Sequence, residues 1–227
     1  MKKQKKEKIF IWGAGGQGKV VLDILRNTKN FDIAGFIDSD KKLQNKNIDG
    51  IKIFGDKDYL NILWKKGIRA GIVAIGDNEK RCQIADYLKQ RKFKLINAIH
   101  PQAVIATNVS FGNNIIINAG VIISTYSVIE DNVIINTGAI IEHENIIKNG
   151  AHIASGVQLA GGLEVGEKTL VGIGATVIQY VKIGKNSVIG AGAVVLNDIQ
   201  DDVVAVGVPA KVIKKRSDFH EEKEYQG

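Results

Sequence analysis

The sequence predicts a chain of two unlike parts, an α/β domain followed by an all-β parallel β-helix. Three observations predict it. A six-residue apolar period runs from Ile105 to Gln200 without an insertion. A glycine-rich turn, Gly13-Ala14-Gly15-Gly16-Gln17-Gly18, joins a strand-like run to a helix-like one. Between these regions Ala98-Ile99-His100-Pro101 breaks both patterns. The expected boundaries are residues 1–97 for the α/β domain, 98–214 for the β-helix and 215–227 for a polar tail.

The period is the firmest of the three. Ile105, Phe111, Ile117, Ile123 and so on to Val195 open successive hexads, sixteen of them in one register. The fifth places are mostly small or apolar as well, as at Val121, Ala139, Val157 and Ala175. Six is a multiple of the strand period of two and not of the helical 3.6, so these residues share one face of an extended chain. A strand that short cannot bury its face alone, whereas stacked coils can, and a fixed hexapeptide period reads as a parallel β-helix. Gly, Asn and Asp between the apolar places suit its corners.

The α/β part reads in order. Lys8 to Trp12 is a strand, and Lys19 to Arg26 has helical spacing after the glycines. Glycine there permits a tight turn and lets backbone N–H groups approach a phosphate at the positive end of a helix. Ile33 to Ile37 forms a second strand and leads into Asp38, where such a unit offers an acid to a ribose or base. A strand at Ile51 to Phe54, a helix from Asp56 to Lys66 and a strand at Ala70 to Ile75 follow. Gly76, Asp77 and Asn78 then precede a helix from Glu79 to Arg91. Ligands of open α/β sheets sit beyond the carboxyl ends of strands. Gly13, Gly15, Gly16, Gln17, Gly18, Asp38, Gly76, Asp77 and Asn78 are therefore expected around one crevice, with Arg81 reaching a phosphate there. The domain is a Rossmann-like half, which favours a mononucleotide or nucleotide-sugar over NAD.

Charge narrows the partners. The net charge is +7, and much of the excess lies in the N-terminal lysines and in Lys211, Lys214, Lys215 and Arg216. No basic stripe is interleaved with aromatics, so nucleic acid is not expected. The single cysteine, Cys82, fits a reducing compartment. The apolar run after the lysines is too short for a signal peptide, which leads us to expect a cytoplasmic protein without a membrane span.

Four histidines remain. His100 stands at the domain join and His220 in the polar tail. His143 and His152 fall on hexad places that should point outward. An imidazole titrates near 6.5 in water and suits proton transfer near neutrality. Glu142 and Glu144 flank His143, and either could orient its ring. Two histidines without a third convergent ligand make a poor zinc site, and no metal is expected.

The hexads, the closing Gly207-Val208-Pro209-Ala210-Lys211 and the outward histidines together resemble the left-handed β-helix acyltransferases. With the glycine-rich unit in front, the chain resembles bacterial sugar acetyltransferases that join a nucleotide-sugar-binding α/β domain to a hexapeptide β-helix. Sialic acid O-acetyltransferases and UDP-4-amino-sugar N-acetyltransferases belong to that group. The segment from Asn136 to Glu144 is similar to the family's catalytic stretch. The resemblance implies a homotrimer with acetyl-CoA lying between two β-helices. It implies His143 as general base supported by Glu144 or Glu142, and Asn136 holding the acceptor. It also implies His152, Gly161, Gly162, Ile173, Gly174 and Ala191 along the CoA arm. The expected reaction is acetylation of the amino group of a nucleotide-linked 4-amino-4,6-dideoxysugar. O-acetylation of a sialic-acid-like sugar is the alternative, and a non-catalytic scaffold the third reading.

Overall fold

The computed structural model describes residues 6–217, and the chain divides into two compact units between Pro101 and Gln102. In the first unit, β1 (Glu7–Trp12), α1 (Gly16–Thr28) and β2 (Phe31–Ile37) come first, then β3 (Asn47–Ile48) and β4 (Ile51–Gly55). A 3₁₀ turn at Lys57–Tyr59 leads into α2 (Leu60–Lys65), followed by β5 (Ala70–Val73), α3 (Asn78–Gln90) and β6 (Lys94–Leu95). The strand order is β3-β4-β2-β1-β5-β6, parallel except for the β3–β4 hairpin. The chain leaves β1 toward β2 on one side and later returns to β5 on the other. The carboxyl ends of β1 and β5 thus form the switch point at which such sheets bind ligands.

The apolar residues follow this topology. β1 and β5 are buried on both faces, as parallel central strands are. Val21, Leu22, Ile24 and Leu25 give α1 one buried stripe. Phe10, Trp12, Leu60, Leu63, Leu88 and Phe93 close the core. The helix begins inside the glycine motif, at Gly16, earlier than its apolar pattern suggests. The small strands β3 and β6 carry no sequence signal of their own.

The second unit is a parallel β-helix of three sheets. Its first face stacks Ile116–Ile117, Ile134–Ile135, His152–Ile153, Leu170–Val171 and Val188–Ile189. The second face runs from Val104–Ile105 through Ile140–Ile141 to Val194–Val195, and the third from Ser110–Phe111 through Ile146–Ile147 to Lys182–Ile183. Each strand pairs with one 18 residues away, as Ile122 does with Ile140 and Ile140 with Gln158. One coil is therefore three hexads. Val203–Val206 adds to the first face in parallel, and Lys211–Lys215 pairs with it in an antiparallel hairpin that ends the stack.

The first and fifth places of the hexads point inward, and almost all are buried. Each buried Ile or Val contributes roughly 1.5–3 kcal/mol against exposure. Turns occupy the third and fourth places. From Asn114 to Gly192 every fourth place has a positive φ, between 52° and 71°. Gly and Asn hold most of these places, since they adopt that conformation at least cost. Several second-place glycines face a different constraint. A Cβ on Gly172 would lie 2.6 Å from the Ile189 carbonyl oxygen of the next coil.

These two kinds of glycine should respond differently to substitution. Gly172→Ala should destabilise by about 1–3 kcal/mol through forced displacement of the next coil. Gly156→Asn, at a φ of 67° with open space around it, should leave the midpoint of thermal unfolding nearly unchanged. Differential scanning calorimetry of the two variants checks this.

Candidate active site

Two chemically distinct sites emerge, one in each unit. In the first unit, the strand-to-helix turn is held from behind. Ala14 N–H donates to Asp38 Oδ2 at 2.7 Å, and Asp40 N–H donates to Asp38 Oδ1 at 2.8 Å. Gly13 has a φ of 108°, and a Cβ on Gly18 would collide with the Gly13 carbonyl, so both need glycine for packing. Gly15, Gly16 and Gly76 differ. All three are exposed, and a Cβ on any of them meets no protein atom within 4 Å. They leave an open surface at the carboxyl ends of β1 and β5. Gln17 lies beside that surface with its Nε2 shut off from solvent and without a hydrogen-bond partner among the described residues.

The remaining predicted groups turn inward. Asp77 caps α3, accepting from Lys80 N–H at 2.8 Å. Asp38 spends both oxygens on the main chain, so its first role is to hold the turn. Arg81 corrects the expectation that it reaches a phosphate. It is fully buried, and its guanidinium donates to the carbonyls of Ile75 and Gly76, both at 3.0 Å, and to Asn78 Oδ1 at 2.8 Å. Burial lowers its pKa to about 10, still leaving it charged at neutral pH. One turn into α3, the side chain folds back under the β5–α3 loop because those carbonyls lack any other strand or helix partner.

The second site lies on the corner between the second and third faces of the β-helix. His143 and Glu144 form the turn of one coil, and Gly161 and Gly162 form the turn of the next. Glu144 Oε2 lies 2.9 Å from His143 Nδ1. A carboxylate accepts only, so Nδ1 carries the proton and Nε2 presents its lone pair. Glu142 is engaged elsewhere, accepting from Ser124 Oγ at 3.2 Å. The imidazole lies over Gly161, where an added Cβ would come within 2.6 Å of Nε2. Gly161 N–H has no acceptor among the described residues. A base nitrogen and a main-chain donor thus meet on adjacent coils.

Beneath this corner is a residue that sequence reasoning missed. Asn145 is fully buried at a fifth, inward place. Its Nδ2 donates to the carbonyls of Glu142 at 2.6 Å and Ala160 at 2.9 Å, while Oδ1 accepts from Leu163 N–H at 2.8 Å. Ser127 Oγ also donates to the Glu142 carbonyl, at 3.0 Å. One amide ties the turn that carries His143 to the turn that carries Gly161. The available signal was a polar residue in an otherwise apolar inward column.

The other predicted residues do not join His143 within one chain. His152 stands on a strand of the first face, partly buried. Asn136 follows another strand of that face and accepts from Asn118 Nδ2. Ile173, Gly174 and Ala191 lie on the corner between the first and second faces. His143 and His152 are nine residues apart, half of the 18-residue coil, which places them on opposite sides of the prism.

Comparison with known proteins identifies the assembly of parts. The family model described as the PglD N-terminal domain matches residues 8–88. The bacterial transferase hexapeptide model, six repeats, matches residues 162–197. Among solved structures, a mutant of GDP-perosamine N-acetyltransferase from Caulobacter crescentus, in complex with CoA and GDP-perosamine, is 38% identical, with 92% of this chain and 97% of that one covered and a TM-score of 0.88. The acetyltransferase domain of PglB from Neisseria gonorrhoeae, in complex with acetyl coenzyme A, is 31% identical, with 92% and 100% covered and a TM-score of 0.85. The chain belongs to the hexapeptide-repeat bacterial sugar N-acetyltransferases. As a member it is an acyltransferase, with an α/β domain preceding its β-helix. WeeI from Acinetobacter baumannii, at 21% identity and a TM-score of 0.63, shares the fold.

Two variants separate the two sites. Gly161→Ala should keep the fold, since Gly161 has an ordinary backbone, and should displace the imidazole, lowering kcat by roughly 10²-fold, as loss of a positioned general base does. Arg81→Met should strand buried carbonyls and cost about 2–4 kcal/mol of stability. Steady-state kinetics on the first and thermal unfolding of the second check these.

Proposed function

We propose that this protein transfers the acetyl group of acetyl-CoA to the amine of a nucleotide-linked 4-amino-4,6-dideoxysugar. The observation that carries the reading is His143, with Nδ1 held by Glu144 and Nε2 over Gly161. The relatives that bind CoA with GDP-perosamine, or acetyl coenzyme A, support both substrates.

Acetyl-CoA supplies a thioester-activated acetyl group. The amine attacks the acetyl carbon while His143 Nε2 takes its proton, and Glu144 steadies the imidazolium that results; as the amide C–N bond forms, the C–S bond breaks, and the CoA sulfur leaves as the thiol with that proton. Gly161 N–H donates to the acetyl oxygen as negative charge develops there, a contribution that a preorganised donor makes without reorganisation. Ser124 is tied to Glu142 and Ser127 points inward, so neither is poised to carry the acetyl group, and the transfer is direct. The open surface at Gly15, Gly16 and Gly76, with the Gln17 amide beside it, takes the nucleotide.

The opposite placement of His143 and His152 supports a homotrimer in which each site is shared. His143, Glu144, Gly161 and Gly162 come from one subunit. His152, Asn136, Ile173, Gly174 and Ala191 of a neighbour provide the other wall and the CoA path. Among the described residues no helix is long and apolar enough to cross a membrane, and a cytoplasmic site of action fits the lone cysteine.

Thiol release should occur with acetyl-CoA and one of the GDP-, UDP- or dTDP-linked 4-amino-6-deoxysugars, and His143→Ala should lower it by at least about 10²-fold. Turnover of free sialic acid alone would overturn the reading. Gly15→Val should raise KM for the nucleotide-sugar and leave that for acetyl-CoA unchanged. Co-expressed His143→Ala and His152→Ala chains should regain activity that neither homotrimer has, because mixed trimers contain intact shared sites; no recovery in purified mixed trimers would show that both histidines act from one chain.

A further inference from the structure

The corner that carries His143 holds a second ring, Tyr180, for which the chemistry above has no task. Tyr180 takes the fourth place of its hexad, with a φ of 62°. From residue 114 to residue 192, the fourth places that hold neither Gly nor Asn are Tyr126, Glu144, Lys168 and Tyr180. Three of these four fall in one column, with Gly162 in the remaining position. A side chain at positive φ costs on the order of 1 kcal/mol against glycine. The cost is concentrated beside His143, and strain kept at one place points to a task there.

The ring's placement gives the task. Tyr180 N–H donates to the Gly161 carbonyl at 3.1 Å, which fixes its coil directly after that of Gly161 and Gly162. Its ring folds back over Gly162, where an added Cβ would lie 2.7 Å from Cδ1 and 2.8 Å from Cε1. The imidazole reaches forward over Gly161 in the same way. Two rings from neighbouring coils therefore flank one Gly-Gly dipeptide, and the missing side chains of Gly161 and Gly162 are the space they fill. Tyr180 is 74% exposed, so its outer face is free to meet a ligand.

We infer that Tyr180 determines specificity for the sugar at C6, accepting a 6-deoxy sugar over its 6-hydroxyl counterpart. The inference rests on the function proposed above and deepens it. When the C4 amine is at His143 Nε2, the neighbouring ring carbon C5 carries the C6 group. In a 6-deoxy sugar that group is a methyl, and an adjacent aromatic face buries it favourably. A 6-hydroxyl against the same face would lose hydrogen bonds to water without replacement. Apolar walls discriminate modestly against an added hydroxyl, so the expected preference is tens of fold and not thousands.

The test compares kcat/KM for a nucleotide-linked 4-amino-4,6-dideoxysugar and its 6-hydroxyl analogue, in the wild-type protein and in Tyr180→Phe, Tyr180→Gly and Tyr180→Asn. Gly and Asn both suit the backbone at this place, so melting temperatures should hold or rise. The wild type and Tyr180→Phe should prefer the 6-deoxy sugar at least about tenfold, while Tyr180→Gly and Tyr180→Asn should bring the ratio close to one. KM for acetyl-CoA should stay the same throughout. A ratio unchanged in the Gly and Asn variants, a ratio lost in Tyr180→Phe, or a wild type without preference would each overturn the inference while leaving the acetyltransferase reading intact. A wild type inert toward every nucleotide-linked amino-sugar would overturn both.

Discussion

The site depends on one repeated main-chain hydrogen bond. From Asn132 to Gly192 the fourth residue of each hexad donates its N–H to the carbonyl of the third residue one coil earlier. Glu144 donates to Thr125 at 3.0 Å, Gly162 to His143 at 2.9 Å and Tyr180 to Gly161 at 3.1 Å. The bond needs a positive φ at the fourth place, and it aligns successive turns in columns. Within one chain, side chains on one column can then meet residues of their own turn and of the coils directly above and below. His143 finds Gly161 because the ladder sets Gly161 on the next coil. Glycine at 144 would satisfy the same bond with less strain. Glutamate there is explained by its carboxylate, which sets the imidazole tautomer.

The interior supports this corner in the same currency of main-chain carbonyls. Asn145 bonds to the carbonyls of Glu142 and Ala160; without it the Glu142 carbonyl keeps Ser127 Oγ, whereas the Ala160 carbonyl loses its donor, at about 1–3 kcal/mol. A polar residue inside the prism is not in itself a mark of function. Thr169 Oγ1 donates to the Gly184 carbonyl at 2.6 Å, and Ser187 Oγ to that of Gln200 at 2.8 Å, below a different corner. What distinguishes Asn145 is the identity of the turns it joins. In the proposed reaction it would act through His143 and Gly161, as a positioning residue.

Particular residues show how far the sequence could be read. The β-helix was legible because its period is set by geometry: a first-place residue at any hexad faces the interior, from Ile105 to Val195. His143 with an adjacent glutamate was legible because acid and base are neighbours in sequence as well as in space. Glu142 and Glu144 were equivalent on paper, and the left-handed backbone at 144 breaks the tie by turning its carboxylate onto Nδ1. Arg81 was misplaced because helical spacing tells where a side chain starts and not whether nearby carbonyls will capture it. Asp38 was correctly placed beside the glycine turn, but which atoms it bonds depends on the Ala14 and Asp40 N–H vectors, which no spacing rule supplies. Tyr180 went unread because its partner, Gly162, is 18 residues away and offers only an absence of side chain.

His143 and His152 stand half a coil apart. In a single strand or helix, nine residues is close; in a coil of 18 it is the diameter. Residues that cooperate on this scaffold share one turn, as His143 and Glu144 do, lie nearly whole coils apart, as His143 and Gly161 do, or else belong to different chains. That arithmetic and the solid interior support the proposed trimer, since no acyl group can pass through a prism packed with Ile, Val and Ala. Assembly and catalysis are then coupled by mass action: ligands that bridge two subunits stabilise the trimer as well as the fold. In the proposed trimer the corner holding His143, half-exposed in one chain, would be desolvated by the neighbour that covers it, and its donors would gain strength from the lower dielectric.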